Sequence, residues 1–249
     1  MAPLILAFRF LTIVPVPGRE AEGPGALGRA AVWFPLIGLA LGGALALAEA
    51  GLNQLFPPLV SAALVLALWK TLTGGIHLDG LADCLDGLAG CDHEHRRAIM
   101  KDSGIGTFGV VGLVLALLLG WAALAEMPGG IRWRVLLIAL PLGRMAPLLV
   151  GKLFRERSVS GGLGAQFASG ISFSALAGWG MAMLVLAIVL LGPAGVLVWL
   201  LALAAVTGWS AFLVRRLGGL SGDVLGSGVE LGELACLLTG SALIRLGLL

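Results

Sequence analysis

Gly106–Glu126 reads GTFGVVGLVLALLLGWAALAE, and no charged residue occurs in it before its last position. A bilayer core about 30 Å thick is crossed by roughly 20 apolar residues in an α-helix. Lipid also demands that the backbone of such a segment satisfy its own hydrogen bonds, which a helix does. This stretch is therefore a membrane span. Further apolar segments fall at 30–52, 57–73, 131–151, 172–191, 194–214 and 231–249. Of the 249 residues, 59% are hydrophobic and 12% charged, whereas soluble domains carry about 25% charged residues. The fold class that follows is an all-α polytopic integral membrane protein with about seven transmembrane helices. Residues 1–18 (MAPLILAFRFLTIVPVPG) contain Arg9 and are short for a span; they read as a retained, short N-terminal interfacial helix ending at Pro15 and Pro17. With no repeat and no soluble segment in view, residues 1–249 are read as a single transmembrane domain.

The basic residues orient the spans. With 18–29 on the inside, the segments 74–105, 152–170 and 215–230 are inside as well. These and their flanks carry Arg96, Arg97 and Lys101, then Lys152, Arg155 and Arg157, then Arg215 and Arg216, together with Arg19, Arg29 and Lys70. The other side has only Arg132 and Arg134. That asymmetry follows the positive-inside rule and predicts polar loops facing the cytoplasm from a cell (inner) membrane. A net charge of +2 gives no reason to expect a nucleic-acid partner. Three cysteines, Cys84, Cys91 and Cys236, do not form a disulfide framework.

Within 74–105 the chain breaks its own habit. In GGIHLDGLADCLDGLAG (74–90), Asp79, Asp83 and Asp86 are spaced i, i+4, i+7, which on a helix puts three carboxylates on one face. Unpaired they repel, and each costs about 2.5–3.5 kcal/mol if placed near a bilayer centre. Oxygen ligands converging from one face suit a hard divalent cation such as Mg²⁺, and one or two such ions around a phosphoryl group are compatible with the pattern. Two Asp-Gly pairs also fit a solvated turn. The neighbouring KDSGIGTFG (101–109) sets Lys101 and Asp102 beside Gly104 and Gly106, whose backbone N–H groups can approach an anion. GGLSGDVLGSGVE (218–230) repeats the device around Asp223, and Glu230 and Glu233 enter the last helix. Arg144 lies roughly 10 Å inside its span, so it snorkels or pairs, binding a phosphate or a carboxylate. Glu49 and Arg245 read as interfacial. Cys84, Cys91, His93 and His95 match no zinc spacing. Gly38 and Gly42 form a small-residue pair of the kind that packs helices closely.

Taken together, FLTIVPVP (10–17), LTGGIHLDGLADCLDGLAG (72–90), IMKDSGIGTFGV (99–110) and GGLSGDVLGSGVELGELACLL (218–238) resemble the cobalamin synthase family, the adenosylcobinamide-GDP ribazoletransferases, over about residues 8–240. The resemblance implies a Mg²⁺-dependent transferase of late vitamin B12 assembly. Its substrates would be adenosylcobinamide-GDP and α-ribazole or α-ribazole 5′-phosphate, and GMP would be released. It implies that His77, Asp79, Asp83 and Asp86 belong to the active site, joined by Lys101, Asp102 and Asp223. On this expectation Asp79, Asp83 and Asp86 hold the metal, and Lys101, Arg144, Asp223, Gly104 and Gly106 meet substrate or phosphate. Asp86, Asp102 or His77 takes the proton. The loops 74–105, 152–170 and 215–230 form the site. Asp83-x-x-Asp86-Gly87 also echoes half of the CDP-alcohol phosphotransferase motif, which leaves a lipid headgroup enzyme as an alternative. A cation-coupled transporter is a second alternative. A homo-oligomer is admitted.

Overall fold

A computed structural model describes residues 1–158 and 162–249; Val159, Ser160 and Gly161, in the expected 152–170 loop, lie outside the described residues. The described residues form α1 (Ala2–Leu11), α2 (Ala26–Ala30), α3 (Phe34–Leu55), α4 (Pro58–Leu72), α5 (Ile76–Gly87) and α6 (His93–Met100). They continue with α7 (Thr107–Glu126), α8 (Gly129–Leu153), α9 (Leu163–Ser169), α10 (Phe173–Leu191), α11 (Ala194–Arg216) and α12 (Gly222–Arg245). A 3₁₀ turn, Ala31–Trp33, joins α2 to α3. Among the described residues, six helices are long and apolar enough to cross a membrane: the Ala26–Leu55 run, α7, α8, α10, α11 and α12. A seventh span exists only if α4 is counted together with α5, which is bent from it by 88°. The chain is a multi-pass helical membrane protein.

The centre of the bundle is α8. From Val135 to Gly151 it is buried at almost every position, because α3, α10, α11 and α12 all pack on it. α3 comes closest, and two glycines allow it. A side chain at Gly38 would meet the Pro141 backbone at 2.6 Å and the Leu140 carbonyl at 2.7 Å, and one at Gly42 would meet the Leu136 carbonyl at 2.9 Å. The GxxxG expectation therefore holds, with α8 as the partner helix. On the far side, Gly143 of α8 leaves room for the Glu233 side chain of α12. At the periphery, α7 and α10 turn apolar side chains outward, among them Val111, Leu115, Leu118, Met181, Val185 and Val189. Such belts suit lipid tails.

Three boundaries differ from the sequence reading. α12 starts at Gly222, not 231, so most of 215–230 is helix. Ser221 opens it, its hydroxyl accepting the Val224 N–H at 3.3 Å. Asp223, Glu230 and Glu233 lowered the hydropathy there, but all three face protein. Residues 74–105 are also no open loop, since they contain α5 and α6. α1 ends at Leu11, before the prolines, where Thr12 turns extended and its hydroxyl donates back to the Phe8 carbonyl at 2.9 Å. Glu49 is another correction. It is buried and paired with Arg132 at 3.2 Å, because α3 and α8 close over both.

Gly38→Val should strain the α3–α8 crossing by about 1–3 kcal/mol, the usual cost of overpacking. In detergent its thermal midpoint should fall by several degrees. Gly43→Val, where a side chain would meet nothing within 4 Å, should melt with the parent.

Candidate active site

α5 is short, and its direction is set by Gly74 and Gly75. Both have left-handed backbone, at φ 62° and 69°, which side-chain-bearing residues adopt at a cost. Their N–H groups return to the Thr71 and Lys70 carbonyls, at 2.9 and 3.1 Å, and close α4. The chain then leaves crosswise. α5 runs across the amino ends of α7 and α12, with its acidic face against both.

At the α7 end the contact is direct. The Gly106 N–H donates to Asp86 at 2.7 Å and the Gly109 N–H at 2.8 Å, one to each carboxylate oxygen. Asp86 is 8% exposed. The glycine-rich loop does bind an anion, and that anion is the protein's own side chain. A side chain at either glycine would collide with the carboxylate. Asp86, expected among the metal ligands, here accepts one backbone N–H at each carboxylate oxygen. The Gly106 N–H, expected to meet phosphate, is directed at Asp86 in the same way. The positive end of the α7 dipole and two unsatisfied N–H groups explain why Asp86 prefers this place to a shared face.

At the α12 end, Gly80 permits close approach: a side chain there would come within 3.0 Å of the Asp223 carbonyl. Asp79 and Asp83 of α5 thus face Asp223 at the amino end of α12. The Asp83 carboxyl is pushed up to about 6, first by partial burial and then by Asp79, Asp223 and Asp86. No cationic side chain among the described residues offsets that crowding. Between α5 and α12 lies a cavity of about 240 Å³ bordered by His77, Asp79 and Asp223. His77 is 4% exposed, and its Nε2 has no hydrogen-bond partner among the described residues. Burial, then Arg144 and Lys70, hold its pKa well below the ordinary imidazole value, so it is neutral near pH 7.

The remaining sites of interest fall in two groups. Lys101, Asp102 and Gly104 are exposed in the turn between α6 and α7, where Asp102 accepts the Gly104 N–H at 3.1 Å. Arg144 is 0% exposed and pairs with Glu233, so of its two expected partners the carboxylate is the one present. Lys70, which the sequence reading counted only as a flanking charge, completes this network. Its ammonium contacts Glu230 at 2.6 Å and Glu233 at 3.2 Å. The signal for it was available: charges inside spans need partners, and Glu230 and Glu233 share a helix face. Phe10, Phe34 and Phe167, which border the cavity, carried no such signal.

Among the described residues, no three His, Cys, Asp or Glu side chains stand close enough together to enclose an ion. Cys91 Sγ lies 3.3 Å from His95 Nδ1, but Cys84 is buried in α5, so the zinc set does not assemble. Asp79, Asp83 and Asp223 are nonetheless hard oxygen donors that crowd one another without a cation. That chemistry fits a divalent ion such as magnesium.

Comparison with known proteins bears on this site. The family model described as "Cobalamin-5-phosphate synthase" matches residues 3–241. A Geotalea daltonii protein named adenosylcobinamide-GDP ribazoletransferase is 38% identical, covering 94% of each chain. Relatives of the same name include one from Deinococcus radiodurans, 41% identical over 94% of this chain and 83% of its own. Another, from Ectopseudomonas mendocina, is 40% identical over 96% and 97%. No solved structure matches.

Two outcomes follow from the carboxylates. Asp86→Ala orphans two N–H groups and should cost about 3 kcal/mol, read as a lower thermal midpoint and faster amide exchange at Gly106–Val110. Asp83 works the other way. Its carboxyl titrates near 6 when folded, against an ordinary value of 3.8, so its ionisation opposes folding. That opposition is absent below about pH 4, grows to about pH 6 and is complete above it. Without divalent cations, Asp83→Asn should melt higher than the parent at pH 7.5 and no higher near pH 4. Magnesium at pH 7.5 should raise the parent more than the variant.

Proposed function

Because the chain belongs to the cobalamin-5-phosphate synthase family, we propose that it catalyses the reaction named in its relatives: transfer from adenosylcobinamide-GDP to α-ribazole or α-ribazole 5′-phosphate. The observation that carries this reading is the set of three crowded carboxylates, Asp79, Asp83 and Asp223, of which Asp79 and Asp223 border one cavity with the buried His77. Asp79, Asp83 and Asp223 would hold magnesium, which when bound offsets charge on the pyrophosphate and on departing GMP.

The chain's own residues supply the rest. Asp86 fixes α5 to α7 and so sets the orientation of Asp79 and Asp83. The acceptor hydroxyl oxygen bonds the cobinamide-side phosphorus, the bond from that phosphorus to the bridging oxygen breaks, and GMP leaves with that oxygen. The His77 imidazole, which borders the same cavity as Asp79 and whose buried Nε2 lacks a partner, would take the hydroxyl proton. This favours His77 over Asp86, whose oxygens are occupied, and over Asp102, which is turned onto Gly104. Lys101 would meet substrate phosphate from its exposed turn. The basic residues flanking the spans support a site that faces the cytoplasm from the inner membrane. The transporter alternative gains nothing here, because the charges deepest in the bundle pair with one another.

Asp79→Asn, Asp83→Asn and Asp223→Asn should each keep the fold and lower GMP release from adenosylcobinamide-GDP and α-ribazole by about a hundredfold or more. Parent-like rates in folded Asp223→Asn would remove it from the site. His77→Gln should reduce turnover while leaving the KM for adenosylcobinamide-GDP unchanged.

A further inference from the structure

The cavity beside Asp79 and Asp223 has two unlike walls. One is polar: His77, Asp79 and the α12 amino turn. The other is aromatic and aliphatic: Phe10, Phe34, Phe167, Pro147 and Leu225. The phenyl rings pack on one another, with Phe10 and Phe34 stacked at 5.8 Å between centroids and Phe167 tilted against Phe34 at 5.9 Å. Helices from both ends of the sequence contribute, since Phe10 closes α1, Phe34 opens α3 and Phe167 sits in α9. Nine-tenths buried at this boundary, the His77 ring leaves Nε2 without a partner. A buried polar atom of this kind is normally hydrogen-bonded, so the imidazole at the cavity edge keeps hydrogen-bonding capacity that the fold does not use.

We propose that this cavity binds the acceptor, taking the flat aromatic base of a nucleoside against the phenyl wall and its ribose towards His77 and Asp79. The inference rests on the reaction proposed above and adds which substrate goes where. Size supports the assignment. About 240 Å³ is at or below the small end of ordinary small-molecule sites, enough for a bicyclic base and part of a sugar and too little for a corrin ring. The larger donor must therefore approach the carboxylates from outside this cavity. Chemistry supports it too: π-faces and aliphatic carbons favour a planar apolar base, while the polar wall favours hydroxyl groups. The acceptor hydroxyl would then arrive at the carboxylates already dry and oriented, as in-line attack requires.

Leu27, half-buried on the cavity lining, offers a way to fill the space. Gly226 offers a milder one, since a side chain there meets only the His77 region at 3.6–3.8 Å, ordinary contact. The test measures equilibrium binding of α-ribazole alone, through the fluorescence of its base, to the parent, Leu27→Trp, Gly226→Ala and Asp83→Asn proteins in detergent. We expect Leu27→Trp to weaken α-ribazole binding tenfold or more and to leave the KM for adenosylcobinamide-GDP within twofold. Gly226→Ala should shift acceptor preference from a benzimidazole riboside towards the smaller imidazole riboside. Asp83→Asn should bind α-ribazole like the parent despite its lost turnover. Unchanged α-ribazole binding in folded Leu27→Trp, or unchanged acceptor preference in Gly226→Ala, overturns the assignment even if transferase activity is intact. A parent protein that binds α-ribazole in this cavity and releases no GMP refutes the proposed reaction and leaves the binding site standing.

Discussion

The site depends on one carboxylate held by the backbone of a neighbouring helix. Asp86 accepts the N–H groups of Gly106 and Gly109 at the start of α7. A charged acceptor with two backbone donors at a helix amino end is among the stronger local contacts a protein makes. It holds α5 across the bundle, and the glycine turn at 74–75 sends α5 there in the first place. That crosswise helix turns Asp79 and Asp83 away from the α4 axis. With it, they meet Asp223 from the other end of the sequence, and the space between becomes a cavity.

Beneath this layer, the bundle contains charges that lipid would not tolerate singly. Lys70 of α4, Arg144 of α8 and Glu230 and Glu233 of α12 join three helices through ion pairs. Buried pairs of this kind add little net stability, but removing one partner is costly because the other remains charged and dry. Their value here is positional. α12 carries Asp223 at its first turn and the glutamates about two and about three turns further on, so the network sets its height and rotation. Gly143 and Gly38 let α8 be gripped from both sides. The positions of the acidic residues are thus set by packing well below them.

Much of this was legible in the residues. Spans follow from apolar length alone, and α7, α10 and α11 fall within a few residues of where hydropathy puts them. The i, i+4, i+7 aspartates do form a helix, and the glycine loop does bind an anion. What could not be read was the pairing between the two. Spacing shows that Asp79, Asp83 and Asp86 share a face; it does not show that a helix amino end lies across the last of them. The start of α12 was missed for a related reason: its acids look polar in a window of sequence, although each faces protein rather than lipid. The aromatic wall was invisible because Phe10, Phe34 and Phe167 are ordinary apolar residues until three distant helices bring them together.

The account stands on a division of labour among four aspartates: three free for a metal, one committed to the fold. An experimental structure with magnesium and a GDP-linked substrate tests it most directly. The account requires the ion about 2.1 Å from oxygens of Asp79, Asp83 and Asp223, bridging to phosphate, with Asp86 still on Gly106 and Gly109. An ion held by Asp86, with those two N–H groups released to the substrate, would contradict it.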